Sequence, residues 1–285
     1  MRRLRVVLTI VLVALLTACS PGGGSGSSSA SGSAPSASGS ASPSASGTPT
    51  TVLVYLVRGE KLAAGGVTVT PIDAAVARAS VEALLAGPDA AATSGGLTTT
   101  IPRGTRLLDL AVRGSVATVD LAGTFATGGG SLSMQLRVAQ VVNTLTQFSG
   151  ISTVAFRIDG RPVAAIGGEG IGVDPPVGPA DFEGVTPQVL VESVWPGLTT
   201  SSPVAFKGTA NTFEAVVQWR LERPDGTLVK QGAIMATSGT GTRGTFDEHL
   251  DLGSFTGPAV LVTGGERGDV ASILVDEVRI PFVVG

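Results

Sequence analysis

Cys19 carries the most committed chemistry in the sequence. It is the only cysteine, and it follows Leu16-Thr17-Ala18 at the end of an uncharged apolar run from Val6 to Leu16. Arg2, Arg3 and Arg5 precede that run. This order is that of a signal peptide with a short hydrophobic region. The run is too short for an ordinary transmembrane helix, which needs about 20 apolar residues. A thiol at the cut position is the nucleophile that lipidation requires, so cleavage before Cys19 and a diacylglyceryl group on its sulfur are expected. Two acyl chains hold a protein on a bilayer where one is marginal, which places the chain at the outer face of a membrane. The alternative is an ordinary secretory signal with an incidental cysteine. Either way no intrachain disulfide and no thiolate zinc site can form.

Other chemistry is sparse. His249 is the only histidine, so a Ser-His-Asp arrangement would have to use it. It lies in Phe246-Asp247-Glu248-His249-Leu250-Asp251-Leu252, where Asp247, His249 and Asp251 alternate onto the polar side of a strand. A metal site from these three is geometrically feasible but incompletely coordinated; a solvated strand face is the plainer reading. Gly239-Thr240-Gly241-Thr242-Arg243-Gly244 matches G-x-G-x-x-G, yet that fingerprint needs a strand before it and a helix after it. Here it leads into a strand and reads as a hairpin loop. Gly128-Gly129-Gly130-Ser131 does open a helix and could offer backbone N–H groups to an anion, but no lysine is near and a loop with a serine cap is the simpler reading. Asp109, Asp120, Glu192 and Glu214 lie in or beside strands, where salt bridges or solvent are the default. No catalytic residue, metal or cofactor is expected.

The elements that must position these residues begin after residue 50. Residues 20 to 50 are only Ser, Gly, Ala, Pro and Thr, and no charge occurs between Arg5 and Arg58. Such a segment buries too little apolar surface to fold, so 19–50 is expected to be a tether spanning roughly 30 Å as a coil and about 100 Å extended. Loss of the three leader arginines takes the formal charge from −3 to −6, an acidic balance that argues against nucleic acid as a partner. The remaining stretch is long enough for two domains, and the glycine- and proline-rich 167–187 is the expected linker.

Residues 51–166 read as α+β. Thr51–Val57 is a β-branched apolar strand. Thr70-Pro71 supplies a cap and a first-turn proline for a helix with Asp73 in its first turn and Ile72, Val76, Ala79 and Ala83 on its apolar side, beside Val81 and Leu84; Gly87-Pro88 ends it. Leu107–Val112 and Ser115–Leu121 form a hairpin about Arg113-Gly114. Met134, Val138, Val141, Leu145 and Phe148 mark an amphipathic second helix, and Thr153–Ile158 is a further strand. The order β-α-β-β-α-β predicts a sheet with both helices on one face. Residues 188–285 carry seven breaker-bounded strands, near 188–194, 203–209, 213–222, 227–235, 244–252, 258–263 and 277–284, expected to form an immunoglobulin-like sandwich. Alternation of Phe213, Ala215, Val217, Trp219 and Leu221 points Trp219 into its core.

Five segments in order, Val54-Tyr55-Leu56-Val57-Arg58-Gly59, Ala83-Leu84-Leu85-Ala86-Gly87-Pro88, Ile101-Pro102-Arg103-Gly104-Thr105, Val119-Asp120-Leu121 and Asn143-Thr144-Leu145-Thr146-Gln147-Phe148, resemble the GerMN domain family of sporulation and germination lipoproteins. The resemblance implies a small fold similar to ring-building motifs, which act through protein contacts; ring formation itself is not carried over. Ser202-Pro203-Val204 through Gly208-Thr209-Ala210, then Phe213-Glu214 and Asp225-Gly226, resemble the immunoglobulin-like second GerM-associated domain. The expectation is a non-enzymatic, lipid-anchored envelope protein that works by binding a protein partner in a sporulation-type or cell-envelope assembly. The alternatives are binding to cell-wall glycan (peptidoglycan) and modulation of a membrane sensor kinase or wall enzyme.

Overall fold

Leu53 to Val57 is a β-branched and aliphatic run that cannot be exposed, and it forms the middle of strand β1 (Thr50–Arg58). The structure, a computed structural model, describes residues 48–71, 75–168, 170–267 and 270–285. The leader, Cys19 and the tether up to residue 47 lie outside them. β1 turns at Gly59, which adopts φ +60°, into β2 (Lys61–Val69), paired antiparallel in register from Arg58 opposite Lys61 to Thr50 opposite Val69. No element was expected over 59–69, because Ala63-Ala64-Gly65-Gly66 has weak strand propensity. Pairing along the whole of β1 supplies what propensity lacks.

Helix α1 (Val76–Ala86) begins later than Thr70-Pro71 suggested, with Ala75 at its cap position, and ends at Gly87, φ +84°. Ile72 and Asp73 lie outside the described residues. Its buried side is Ser80, Val81 and Leu84; Val76, Ala79 and Ala83 are only partly covered. A short helix α2 (Ala90–Ser94) follows, its first turn capped by Asp89 accepting from the Ala92 N–H at 2.7 Å. β3 (Leu107–Arg113) and β4 (Val116–Leu121) make the expected hairpin about Gly114. Helix α3 (Ser131–Thr146) crosses over to β5 (Thr153–Ile158), which lies parallel to β4, with the short β6 (Arg161–Pro162) beyond it.

The α+β class holds, but the single sheet divides: β1–β2 is one sheet and β3-β4-β5-β6 another. The reason is α3. It is not half-exposed as its apolar spacing implied; residues 136 to 145 are all buried. Its polar residues at 137, 140, 144 and 147 share one stripe of the helix, and they bond backbone. Thr144 Oγ1 accepts from the Tyr55 N–H at 3.0 Å, and Gln140 Nε2 donates to the Tyr55 carbonyl at 3.0 Å. Gln147 Oε1 accepts from the Leu53 N–H at 2.9 Å, and its Nε2 donates to the Leu53 carbonyl at 2.7 Å. Side chains of a helix thus occupy the edge of β1 that a strand would otherwise pair.

The stretch expected as a linker is ordered. β7 (Ala165–Ile166) and β8 (Ile171–Gly172) form a small hairpin, a 3-10 segment spans Pro179–Val185, and Val173, Val177, Phe182 and Val185 pack into the first core. In the second half, β9 (Val189–Val191), β11 (Val204–Ala210) and β14 (Gly244–Leu250) form one sheet. β10 (Thr199–Thr200), β12 (Val216–Glu222), β13 (Leu228–Met235), β15 (Gly257–Arg267) and β16 (Val270–Val284) form the facing one, in the order β10-β16-β15-β12-β13. The seven expected strands are present, with the two-residue β10 added. Trp219 is buried as predicted, whereas Phe213 is half exposed, because Glu214 and Ala215 take positive φ and start β12 three residues late.

Gln140 is fully buried and also accepts from the Thr100 N–H at 3.1 Å. Gln140→Ala should therefore strand two backbone groups, at about 1–3 kcal/mol each. Denaturant unfolding measures this, and a loss below about 0.5 kcal/mol would mean that the edge of β1 does not depend on the helix.

Candidate functional site

The two halves meet where β1 delivers Tyr55. The described residues from 48 to 285 form one compact unit, and the surface between its two cores is held by polar pairs and by one aromatic residue seated on glycine. A Cβ on Gly66 of β2 would lie 2.1 Å from the Trp195 ring, so only glycine admits the indole there. Pro196 sits on Gly95 in the same way. Arg58, partly desolvated and with its pKa lowered for that reason, donates to the Gly95 carbonyl at 3.0 Å and across the junction to the Arg279 carbonyl at 2.6 Å.

Next to this seat opens a cleft of about 410 Å³, walled by β1 and α3 on one side, the Pro179–Val185 segment below, and β9, β11 and the loop before β14 on the other. Buried Tyr55 donates its hydroxyl to the Glu192 carboxylate just beyond β9. Burial raises the Tyr55 pKa well above its ordinary value, and the Glu192 charge and hydrogen bond raise it further. Glu192 is also raised: burial outweighs the Tyr55 hydrogen bond and the field of Arg243, both of which oppose it. Arg243 grips Glu183 with both arms, Nε to Oε2 at 2.8 Å and Nη2 to Oε1 at 3.0 Å. It also donates to Thr209 Oγ1 at 3.2 Å and the Pro187 carbonyl at 2.8 Å. That hydrogen-bonded pairing holds Glu183 below its ordinary pKa.

Most of the residues singled out from sequence fall elsewhere. Cys19 lies outside the described residues. His249 is exposed on β14; Asp247 pairs with Lys207 at 2.9 Å, and Asp251 accepts from the Gly253 N–H at 2.8 Å. Among the described residues no group of three His, Cys, Asp or Glu could hold a metal. The glycine loop at 239–244 leads into β14, and its Gly241 N–H is taken by Asn211 Oδ1 at 2.9 Å. At Gly128–Gly130 the helix cap is Gly130, not Ser131. The nearby cation is buried Arg137, which donates to the carbonyls of Thr100, Phe125, Thr127 and Gly128 at 2.5–3.3 Å. Asp109 pairs with Arg78 at 3.4 Å, Asp120 accepts from the Gly160 N–H at 3.0 Å, and Glu214 sits in the positive-φ turn. Glu192 enters the cleft, as does Arg243 of the 239–244 glycine loop, for which the motif suggested no such place; Tyr55, Glu183 and Trp195 were not identified as site residues from sequence. The Trp195-Pro196-Gly197 turn was a visible signal, since a large ring in a breaker sequence needs a seat.

Residues 48–164 match the family model described as Germane, sporulation and spore germination. Residues 188–263 match Gmad2, the immunoglobulin-like domain of bacterial spore germination. The chain carries a GerMN domain followed by an immunoglobulin-like Gmad2 domain. Among solved structures, it is similar to the tandem GerMN domains of the sporulation protein GerM from Bacillus subtilis, with 16% identity, a TM-score of 0.42, and coverage of 72% of this chain and 62% of that one. The chain therefore spans less than two thirds of that relative's length. The first GerMN domain of the same protein gives 21% identity and a TM-score of 0.38 over 45% of this chain and 97% of that one. No curated protein sequence matches the chain. The cleft lies between the GerMN and Gmad2 domains.

The raised pKa of Glu192 has a consequence for stability. Its folded state holds the proton more tightly than its unfolded state, so its contribution is complete below the ordinary carboxylate range and is lost as pH rises through the folded value. Glu192→Gln should match the parent at about pH 4 and be more stable at about pH 7. Glu183 has the opposite sign, its contribution being present at neutral pH and lost on acidification. Denaturation midpoints of the parent and of Glu192→Gln across this range check the assignment; parallel curves would refute it.

Proposed function

We propose that the chain is a non-enzymatic envelope lipoprotein, held at the outer face of the cell membrane by a diacylglyceryl group on Cys19. It works as a protein-interaction module in a sporulation- or germination-type, or cell-envelope, assembly. The observation that carries the reading is the domain pair itself: two domains whose families are described by spore germination, packed as one compact unit rather than strung on a free linker. A packed pair presents one composite surface, which suits a partner that must touch both domains at once. Among the described residues no helix is long and apolar enough to cross a membrane, and the proposed anchor requires none. A tether that brings this surface to the membrane raises its effective concentration for an envelope partner without adding a contact.

Cys19→Ser separates anchoring from folding. The variant should leave the membrane fraction, keep the unfolding transition of the parent, and recover its envelope partner in cells at least about tenfold less well by crosslinking and pull-down. A serine variant that stays with the membrane, or that recovers the same proteins at the same level, overturns the reading.

A further inference from the structure

Several polar side chains around the interdomain cleft have their donors turned onto the protein itself. Asn143, nine-tenths buried, turns its Nδ2 back to the Ala139 carbonyl at 2.9 Å, and its carboxamide oxygen accepts from no described group. Thr146 Oγ1 donates to the Val142 carbonyl and Thr186 Oγ1 to the Phe182 carbonyl, each at 2.9 Å. The Tyr55 hydroxyl is given to Glu192, and Arg243 is committed to Glu183, Thr209 and the Pro187 carbonyl. Glu192 itself takes that one side-chain hydrogen bond and, among the described residues, no ion pair within 4.0 Å. Glu192 thus lines the cleft as a carboxylate with no paired cation, beside the free carboxamide oxygen of Asn143.

A site of this kind selects against carbonyls and anions, which would meet lone pairs, and for a group that only donates. A primary ammonium has three N–H donors, a positive charge and no acceptor, and its charge-assisted hydrogen bond to a carboxylate is roughly twice as strong as one between neutral groups. We propose that the cleft between the GerMN and Gmad2 domains binds a primary ammonium group carried on a short polar molecule, with Glu192 as its counter-charge and Asn143 as its second acceptor. The volume of about 410 Å³ suits a small amine rather than a polymer. The proposal rests on the junction geometry and is independent of the membrane anchor.

Tyr55 is the only tyrosine in the chain, so a ring-¹³C-tyrosine label gives one resonance that reports on Glu192. The full chain in detergent micelles is titrated with glucosamine and with L-lysine amide, which represent an amino sugar and a peptide amine, and with N-acetylglucosamine and Nα,Nε-diacetyl-L-lysine amide, which have no ammonium, as controls. A saturable shift of the Tyr55 resonance by either amine, absent with its acetylated form, is expected. A response to glucosamine alone assigns the site to an amino sugar, and a response to L-lysine amide alone to a peptide amine. Glu192→Gln keeps an acceptor for the Tyr55 hydroxyl and should weaken the response about tenfold or more, while Asn143→Ala should weaken it less. No saturable shift with either amine, equal binding of the acetylated controls, or full binding by a Glu192→Gln chain that still unfolds cooperatively each overturns the proposal.

Discussion

The edge of strand β1 is the constraint on which the rest depends. A two-stranded hairpin leaves an unpaired row of N–H and C=O groups, and such an edge must be covered or it becomes a template for another chain. Here α3 covers it from inside, with Gln140, Thr144 and Gln147 reaching the backbone of Leu53 and Tyr55. The same stripe begins at Arg137, which ties the loops at residue 100 and residues 125–128 to the helix. A helix that must satisfy backbone on one side and pack Val138, Val141 and Leu145 on the other is buried all round. That explains why it sits between two sheets and not outside one.

Fixing the backbone at Tyr55 fixes more than the first core. Alternation along β1 sends Leu56 inward while Tyr55 is directed at the second domain, where its hydroxyl meets Glu192, 137 residues away in sequence. The GerMN helix therefore sets, through one strand, the position of a polar contact on the Gmad2 side. Glycines complete the arrangement: Gly66 and Gly95 leave room for Trp195 and Pro196, so the junction closes by shape beside the cleft and by hydrogen bonds within it. The glycine- and proline-rich stretch between the domains adds apolar anchors, Val173, Val177, Phe182 and Val185.

Much of this was legible in the sequence because it is local. The hairpin at Gly114, the stop at Gly87, the helix through Met134 to Leu145 and the seven strands of the second domain all follow from periodicity and breakers. What was not legible was set by distant partners. β2 contains Ala-Ala-Gly-Gly and is a strand because β1 pairs with it. Gln140 and Thr144 look like the solvent side of an amphipathic helix until the β1 edge is placed against them. Phe213 fits the alternation of β12 and fails it because two residues after it adopt positive φ. The linker composition concealed four apolar residues whose core lies in the preceding domain. Glu192 and Arg243 were visible as residues, but the cleft that unites them is formed by elements from both domains, and no spacing in the chain records it.

The unpaired state of Glu192 stands out against how this chain treats its other covered carboxylates. Glu222, buried in the second domain, is matched by Arg220 at 3.1 Å and Arg279 at 2.6 Å. Glu183 has Arg243 in a two-armed grip and Asn211 besides, at 2.7 Å. Burying a carboxylate without such a partner is costly, and the cation needed is close by: Arg243 is near enough for its field to oppose the upward shift at Glu192. The fold nevertheless spends that guanidinium on Glu183 and on backbone, and leaves Glu192 with a phenol. A phenol hydroxyl relieves part of the desolvation but adds no positive charge. The junction is consequently assembled with an uncompensated carboxylate at one wall of an open cleft, and a positive group arriving from outside would remove a cost that the folded chain otherwise bears. A site whose ligand completes an unfinished electrostatic balance gains affinity from the protein's own strain, and the same ligand would tighten the contact between the two domains.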